Sequence, residues 1–164
     1  MNHQKMATTN NNLSEYKIEN TPNSKGMRFA IIVSEWNEHI TNNLYKGAEQ
    51  TLLDSGVKQN DIERIDVPGS FELVFGAKIA SKYNYNAIIC LGSVIKGETE
   101  HFHYVCNAVS SGIKDLNITL DIPVIFGVLT DNTQEQAINR SGGKHGNKGV
   151  EAAITAIRMA HLNN

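Results

Sequence analysis

The sequence predicts an α/β fold: a three-layer α/β/α sandwich around a four-stranded parallel sheet. Three observations carry this. Short, almost wholly apolar runs (AIIV, AIICL, PVIFGVL) recur along the chain. The segments between them place apolar residues at helical spacing, and the two kinds alternate from Met27 onward. A strand that is apolar on both faces needs cover on both sides, which alternating amphipathic helices supply.

In chain order, "RFAIIVSEW" (28–36) is the first strand, and a helix follows through Ile40, Leu44, Ala48, Thr51 and Leu52. "IERIDV" (62–67) is the second strand. "PGS" (68–70) turns the chain into a helix marked by Phe71, Val74, Phe75 and Ile79. "NAIICLGSVI" (86–95) is the third strand, with a helix behind it through Phe102, Val105, Val109, Gly112 and Leu116. "PVIFGVLT" (123–130) is the fourth strand. Thr133 and Gln136 have capping-box spacing at the next helix start. The last helix begins near Lys148 with Val150, Ala153, Ile154 and Ile157 inward. The chain has no internal repeat.

These elements make one domain over 27–164, and 164 residues suffice to bury a core without staples. Residues 1–26 are rich in Asn, Thr, Ser and Lys and read as a flexible N-terminal tail. Within it, "LSEYKIE" (13–19) becomes a strand if it finds a sheet edge. Fifteen basic against seventeen acidic residues give a formal charge of −2, with no long run of either sign. That excludes a general nucleic-acid binder and a polybasic membrane-surface protein. Cys90 and Cys106 lack metal-like spacing and read as buried free thiols of a reducing compartment. No apolar run is long enough to span a bilayer, and the first residues lack a signal peptide's apolar core. The expected location is cytoplasmic.

Ligands of open parallel sheets bind outside the carboxyl ends of the strands. Here those ends are Trp36-Asn37, Pro68-Gly69-Ser70, Ser93 to Lys96 and Thr130-Asp131, so the unusual residues converge on one rim. With a helix starting near Thr99 or Glu100, His101 and His103 stand about 200° apart around it. His103 aligns with Asn107, Ser110 and Lys114 on a polar face. His101, beside Val105 and Ala108, faces the crevice. A shared metal needs both rings on one side and a third ligand, so His101 is either an acid–base residue or an ordinary solvated histidine of the first turn. Gly97 allows close approach, and the free N–H groups of residues 98–101 form an anion site. Ser70 can cap a helix and Glu72 suits its positive end, or both can hold a ligand. Trp36, the only tryptophan, is either a core aromatic or a stacking platform. "RSGGKHGNKG" (140–149) lacks phosphate-loop order and links two helices. The helix from 133 should run back from the crevice, leaving Arg140 far from its own chain's site.

Together "SEWNEHIT", "VPGSFEL", "LGSVIKGETEHFHYV", "PVIFGVLT" and "RSGGKHGNKGVEAA" resemble the 6,7-dimethyl-8-ribityllumazine synthase family over roughly 27–162. The resemblance implies a flavodoxin-like fold and the penultimate step of riboflavin synthesis. In that step 5-amino-6-(D-ribitylamino)uracil condenses with 3,4-dihydroxy-2-butanone 4-phosphate, without metal or organic cofactor. By the same resemblance Trp36 stacks on the pyrimidine. Ser70, Phe71 and Glu72 hold the ribityl chain. Ser93, Val94 and Ile95 hydrogen-bond the ring, while Glu98 and Thr99 bind phosphate. His101 is the acid–base residue, and a neighbouring subunit donates Phe126, Arg140 and Lys148. The implied partners are copies of the same chain, as a pentamer or an icosahedral assembly of pentamers, and riboflavin synthase. The sequence departs from the family's usual residues at Lys96 (often Arg), Val74 (often Pro) and His103 (usually acidic). A non-catalytic flavin or lumazine carrier, or a shell-forming protein, is the alternative on the same fold.

Overall fold

The computed structural model describes residues 20–163, so "LSEYKIE" lies outside the described residues. Strands β1 (Phe29–Ser34), β2 (Ile62–Val67), β3 (Ala87–Ile95) and β4 (Val124–Asp131) form one parallel sheet, ordered β2-β1-β3-β4. Helices α1 (Glu38–Asp54) and α5 (Lys148–Leu162) cover one face, and α2 (Leu73–Ala80) and α3 (His101–Thr119) cover the other. This is the predicted sandwich, and β1 shows why it forms. All six of its residues are buried. Phe29, Ile31 and Val33 enter one core with Ile40, Leu44 and Ile157; Ala30 and Ile32 enter the other with Leu73, Val109 and Ile113.

The expected capping box is present. The Thr133 hydroxyl accepts the Gln136 N–H at 3.2 Å, and Gln136 Oε1 accepts the Thr133 N–H at 3.3 Å. It starts α4 (Gln134–Arg140), which is only seven residues long. A short antiparallel pair, β5 (Ser141–Gly143) and β6 (Gly146–Asn147), then reverses the chain. The sequence reading had only a link there. The Asn147 side chain accepts the Gly149 N–H at 2.8 Å and donates to the Asn43 carbonyl at 3.0 Å, which ties the start of α5 to α1. A Cβ at Gly149 would stand 1.9 Å from the Leu44 carbonyl, so a larger residue would push the two helices apart. The far end of α5 reaches the amino end of the sheet, where Asn163 Nδ2 donates to the Asp121 carbonyl at 2.6 Å. Lys148 and Glu151 therefore stand at the carboxyl end.

Two expectations change. Phe71 and Phe75 are 59% and 65% exposed. Ser70–Glu72 is a 3₁₀ turn, and the helix after it packs through Leu73, Gly76, Ala77 and Ala80. Small side chains let α2 lie close to the sheet, and a search for large apolar residues passes over them. The chain around Ser24, assigned to the tail by composition, docks on the domain. Ser24 is fully buried and its N–H donates to the Ser55 carbonyl at 2.8 Å. Cys90 is buried, which pushes its thiol up to about 12, whereas Cys106 is only half-buried. Among the described residues no helix is long and apolar enough to cross a membrane.

Candidate active site

At the carboxyl ends of β1, β2 and β3 lies a cleft of about 610 Å³, within the usual range of small-molecule sites. Its first wall is Trp36. Beyond β1 the chain keeps following β2, as the Glu35 N–H donates to the Val67 carbonyl at 2.8 Å and the Trp36 N–H to the Pro68 carbonyl at 3.1 Å. Trp36 is thereby held on the rim, 72% exposed. Of its two sequence readings, the core aromatic is excluded.

The second wall is the turn from Pro68 to Glu72. Ser70 makes no capping hydrogen bond, and its buried Oγ has no partner among the described residues. Leaving a buried hydroxyl unmet costs roughly 1–3 kcal/mol, which a ligand hydroxyl would recover. Gly92 makes room for this arrangement, since a Cβ there would meet Ser70 Oγ at 2.6 Å. The third wall is the end of β3, Ser93 to Ile95.

The fourth wall is the first turn of α3 and the chain entering it: Gly97, Thr99, His101, Phe102 and Val105. Thr99 Oγ1 accepts the His101 N–H at 3.4 Å and the Glu100 carbonyl accepts those of His103 and Tyr104 at 3.0 and 3.3 Å; the positive end of this helix suits an anion. His101 lines the cleft and His103 does not. The His103 ring instead packs edge-on to Phe102, with centroids 5.3 Å apart. The opposed phases read from the sequence hold. Among the described residues no group of three or more His, Cys, Asp or Glu could hold a metal ion.

Four residues named by the resemblance are not on these walls: Glu98, Phe126, Arg140 and Lys148. Glu98 is exposed in the turn before α3, and Phe126 is partly exposed on the edge strand β4. The position expected for Arg140 needs correction. The α4 helix is too short to carry it to the amino end of the sheet, and α5 makes that return instead. Arg140 Nη2 lies 3.6 Å from Glu151 Oε1, and Lys148 Nζ lies 3.0 Å from Glu151 Oε2. Asp131, at the end of β4, is close enough to feel Arg140: burial raises its carboxyl, and Arg140 offsets part of that rise. The group sits at the carboxyl rim on the α5 side, away from the cleft of its own chain. Among the described residues no Arg or Lys lines that cleft.

The model of the 6,7-dimethyl-8-ribityllumazine synthase family matches residues 26–164. The chain belongs to this family. It is 58% identical to the 6,7-dimethyl-8-ribityllumazine synthase of Flavobacterium johnsoniae, over 96% of this chain and 83% of that protein. It is 56% identical to that of Christiangramia forsetii (96% and 95%) and 50% identical to that of Porphyromonas gingivalis (96% and 98%). The three departures from the family's usual residues can now be placed. Lys96 is exposed and off the cleft walls. Val74 lies in the first turn of α2, half-buried against the core on that side. His103 faces away from His101's wall. None of the three touches the lumazine synthase cleft directly.

Asn37 was passed over as a site residue. It lines the cleft and is, among the described residues, the only non-glycine with positive φ (61°). Its signal was an Asn at a strand-to-helix joint, a residue type that tolerates this conformation.

Proposed function

We propose that the chain condenses 5-amino-6-(D-ribitylamino)uracil with 3,4-dihydroxy-2-butanone 4-phosphate to give 6,7-dimethyl-8-ribityllumazine, phosphate and water. It is a transferase of riboflavin biosynthesis. The observation that carries this is the cleft, where an aromatic platform, an unmet buried serine hydroxyl, a strand edge, a helix N-terminus and one histidine converge. In this reading Trp36 stacks on the pyrimidine, with Ser93, Val94 and Ile95 along the ring edge. Covering about 100 Å² of exposed indole at roughly 25 cal/mol per Å² contributes about 2.5 kcal/mol, enough to anchor the ring. Ser70, Phe71 and Glu72 take the ribityl chain. Glu98 and Thr99, at the helix N-terminus, take the phosphate.

Holding two substrates in register supplies most of the rate, up to roughly 7–11 kcal/mol for ideal geometry. His101 moves the protons of imine formation, phosphate loss and ring closure. The cation for the phosphate comes from Arg140 of an adjoining copy, with Phe126 and Lys148 beside it, in a pentamer or an icosahedral assembly of pentamers. The enzyme works in the cytoplasm and hands its product to riboflavin synthase.

Purified protein with both substrates should generate lumazine fluorescence, and a metal chelator should leave the rate unchanged. Absence of product would leave a binding protein on the same fold, and loss of rate restored by zinc would bring a metal into the mechanism. Trp36 reports binding directly. A ribityl-pyrimidine analogue should quench its emission saturably. Unchanged emission at concentrations that calorimetry shows to bind would remove Trp36 from the ring site.

A further inference from the structure

Beyond their paired segments, the two central strands part. β1 and β3 are in register only as far as Val33 opposite Leu91. Past that point β1 follows β2, through the Glu35 and Trp36 N–H bonds to Val67 and Pro68. β3 stays with β4, in register to Ile95 opposite Asp131. A fork opens between Trp36 and the end of β3, and it is part of the cleft.

Backbone groups along a strand alternate in direction with a period of two. The Ile88 N–H donates to the Pro123 carbonyl and the Lys96 N–H to the Asp131 carbonyl, so even-numbered residues of β3 face β4. The backbone groups of Ser93 and Ile95 therefore face the fork. One of them is held. Asn37 Nδ2 reaches across and donates to the Ser93 carbonyl at 2.9 Å.

The form of Asn37 fits that task. An Asn before a helix ordinarily uses its side chain to cap the first turn. This one makes no side-chain cap. Its carbonyl alone accepts the Ile40 and Thr41 N–H groups, at 2.8 and 3.1 Å. Its backbone sits at φ 61°, ψ 44°, and its amide is free to span the fork.

We propose that Asn37 is a positioning residue that sets the width of this fork, and so the distance between the Trp36 platform and the ring-binding edge at Ser93 and Ile95. The inference rests on the pyrimidine-binding reading above. By tying up the Ser93 carbonyl, Asn37 also withholds that acceptor from a ligand, while the backbone groups of Ile95 still face the fork.

Two substitutions test it. Gly accepts the left-handed backbone at position 37 without strain but removes the tie. Asn37→Asp keeps the shape and the backbone preference but sets a carboxylate against a carbonyl. Without any ligand, time-resolved anisotropy of Trp36 should show larger local motion in both variants, with the thermal midpoint of Asn37→Gly unchanged. With a ribityl-pyrimidine analogue, both should bind at least ten-fold more weakly. In turnover the KM for the pyrimidine should rise while the KM for the phosphate substrate stays the same.

Unchanged Trp36 motion in both variants overturns the proposal. So does wild-type affinity in either one. If Asn37→Gly loses stability as well as affinity, Asn37→Asp decides: normal motion and affinity there overturn the proposal, and losses in both support it. Failure of the wild-type protein to bind the analogue would instead remove the pyrimidine-binding reading, and the ligand-free measurement would still decide whether Asn37 holds the fork.

Discussion

His101→Asn is expected to lower kcat roughly ten- to a thousand-fold, while the Trp36 titration with a pyrimidine analogue stays close to wild type. The reasoning starts from position. His101 is the first residue of α3 and, among the described residues, the only imidazole on the cleft wall. Among the described residues the cleft's other ionisable side chain is Glu72, which belongs to the opposite turn. Asparagine keeps a polar group of similar reach but cannot carry a proton between donor and acceptor. Binding should survive, because the platform, the strand edge and the Ser70 turn are untouched. A two-step comparison makes the test sharp. His103→Ala, two residues along the same helix, should stay within a few-fold of wild type, since its ring packs on Phe102 and not on the cleft. Equal losses in both variants would mean that the helix end, and not the His101 imidazole, matters. Full activity in His101→Asn would leave that side chain as an ordinary solvated residue.

The histidine phases could be read in advance because helical period is a local property, set by two residues of separation and the helix start. The sheet was legible for a related reason. Strands covered on both faces leave unbroken apolar runs, as β1 and β3 do, while the partly exposed edge strand β2 still coincides with "IERIDV", Ile62–Val67. The convergence of Trp36, Ser70, Ser93 and His101 followed from topology alone, since parallel strands put all their carboxyl ends on one side.

What escaped the sequence depends on context. The inward face of α2 is made of Leu73, Gly76, Ala77 and Ala80, while Phe75 in it and Phe71 in the turn before it are exposed. Residue size misled there, because close packing on the sheet selects small residues. Arg140 was misplaced because strand–helix alternation assigns the return across the sheet to the helix from 133, whereas its seven residues are too short and α5 makes that return. Gly142 and Gly146, at φ 112° and 80°, let the chain double back as β5 and β6, where the sequence shows only a link between two helices. Asn37 escaped because its role rests on a bond to Ser93, fifty-six positions away in the chain. Single-chain geometry also leaves the cations unexplained: Arg140 and Lys148 gather on Glu151, on the side of the sheet away from the cleft.

Arg140→Ala and His101→Asn, each nearly inactive alone at limiting substrate, should recover activity when the two are unfolded together and co-assembled. A phosphate-bearing substrate needs a cation, and among the described residues no Arg or Lys lines the cleft of one chain. Arg140 stands at the same rim but on the α5 side, where Glu151 and Asp131 hold its charge in place. In the proposed head-to-tail ring that side of one copy would meet the cleft of the next, a heterologous contact that closes. Each site then takes His101 from one chain and Arg140 from its neighbour. With equal amounts and random neighbours, roughly one quarter of the sites combine an intact His101 with an intact Arg140. Mixed assemblies should therefore regain about a quarter of wild-type activity, and each mutant refolded alone should stay at its own baseline. If Arg140 served the cleft of its own chain, every site in every mixture would lack one of the two residues. Activity that stays at baseline, in assemblies shown by mass spectrometry to contain both chains, would reject the shared site.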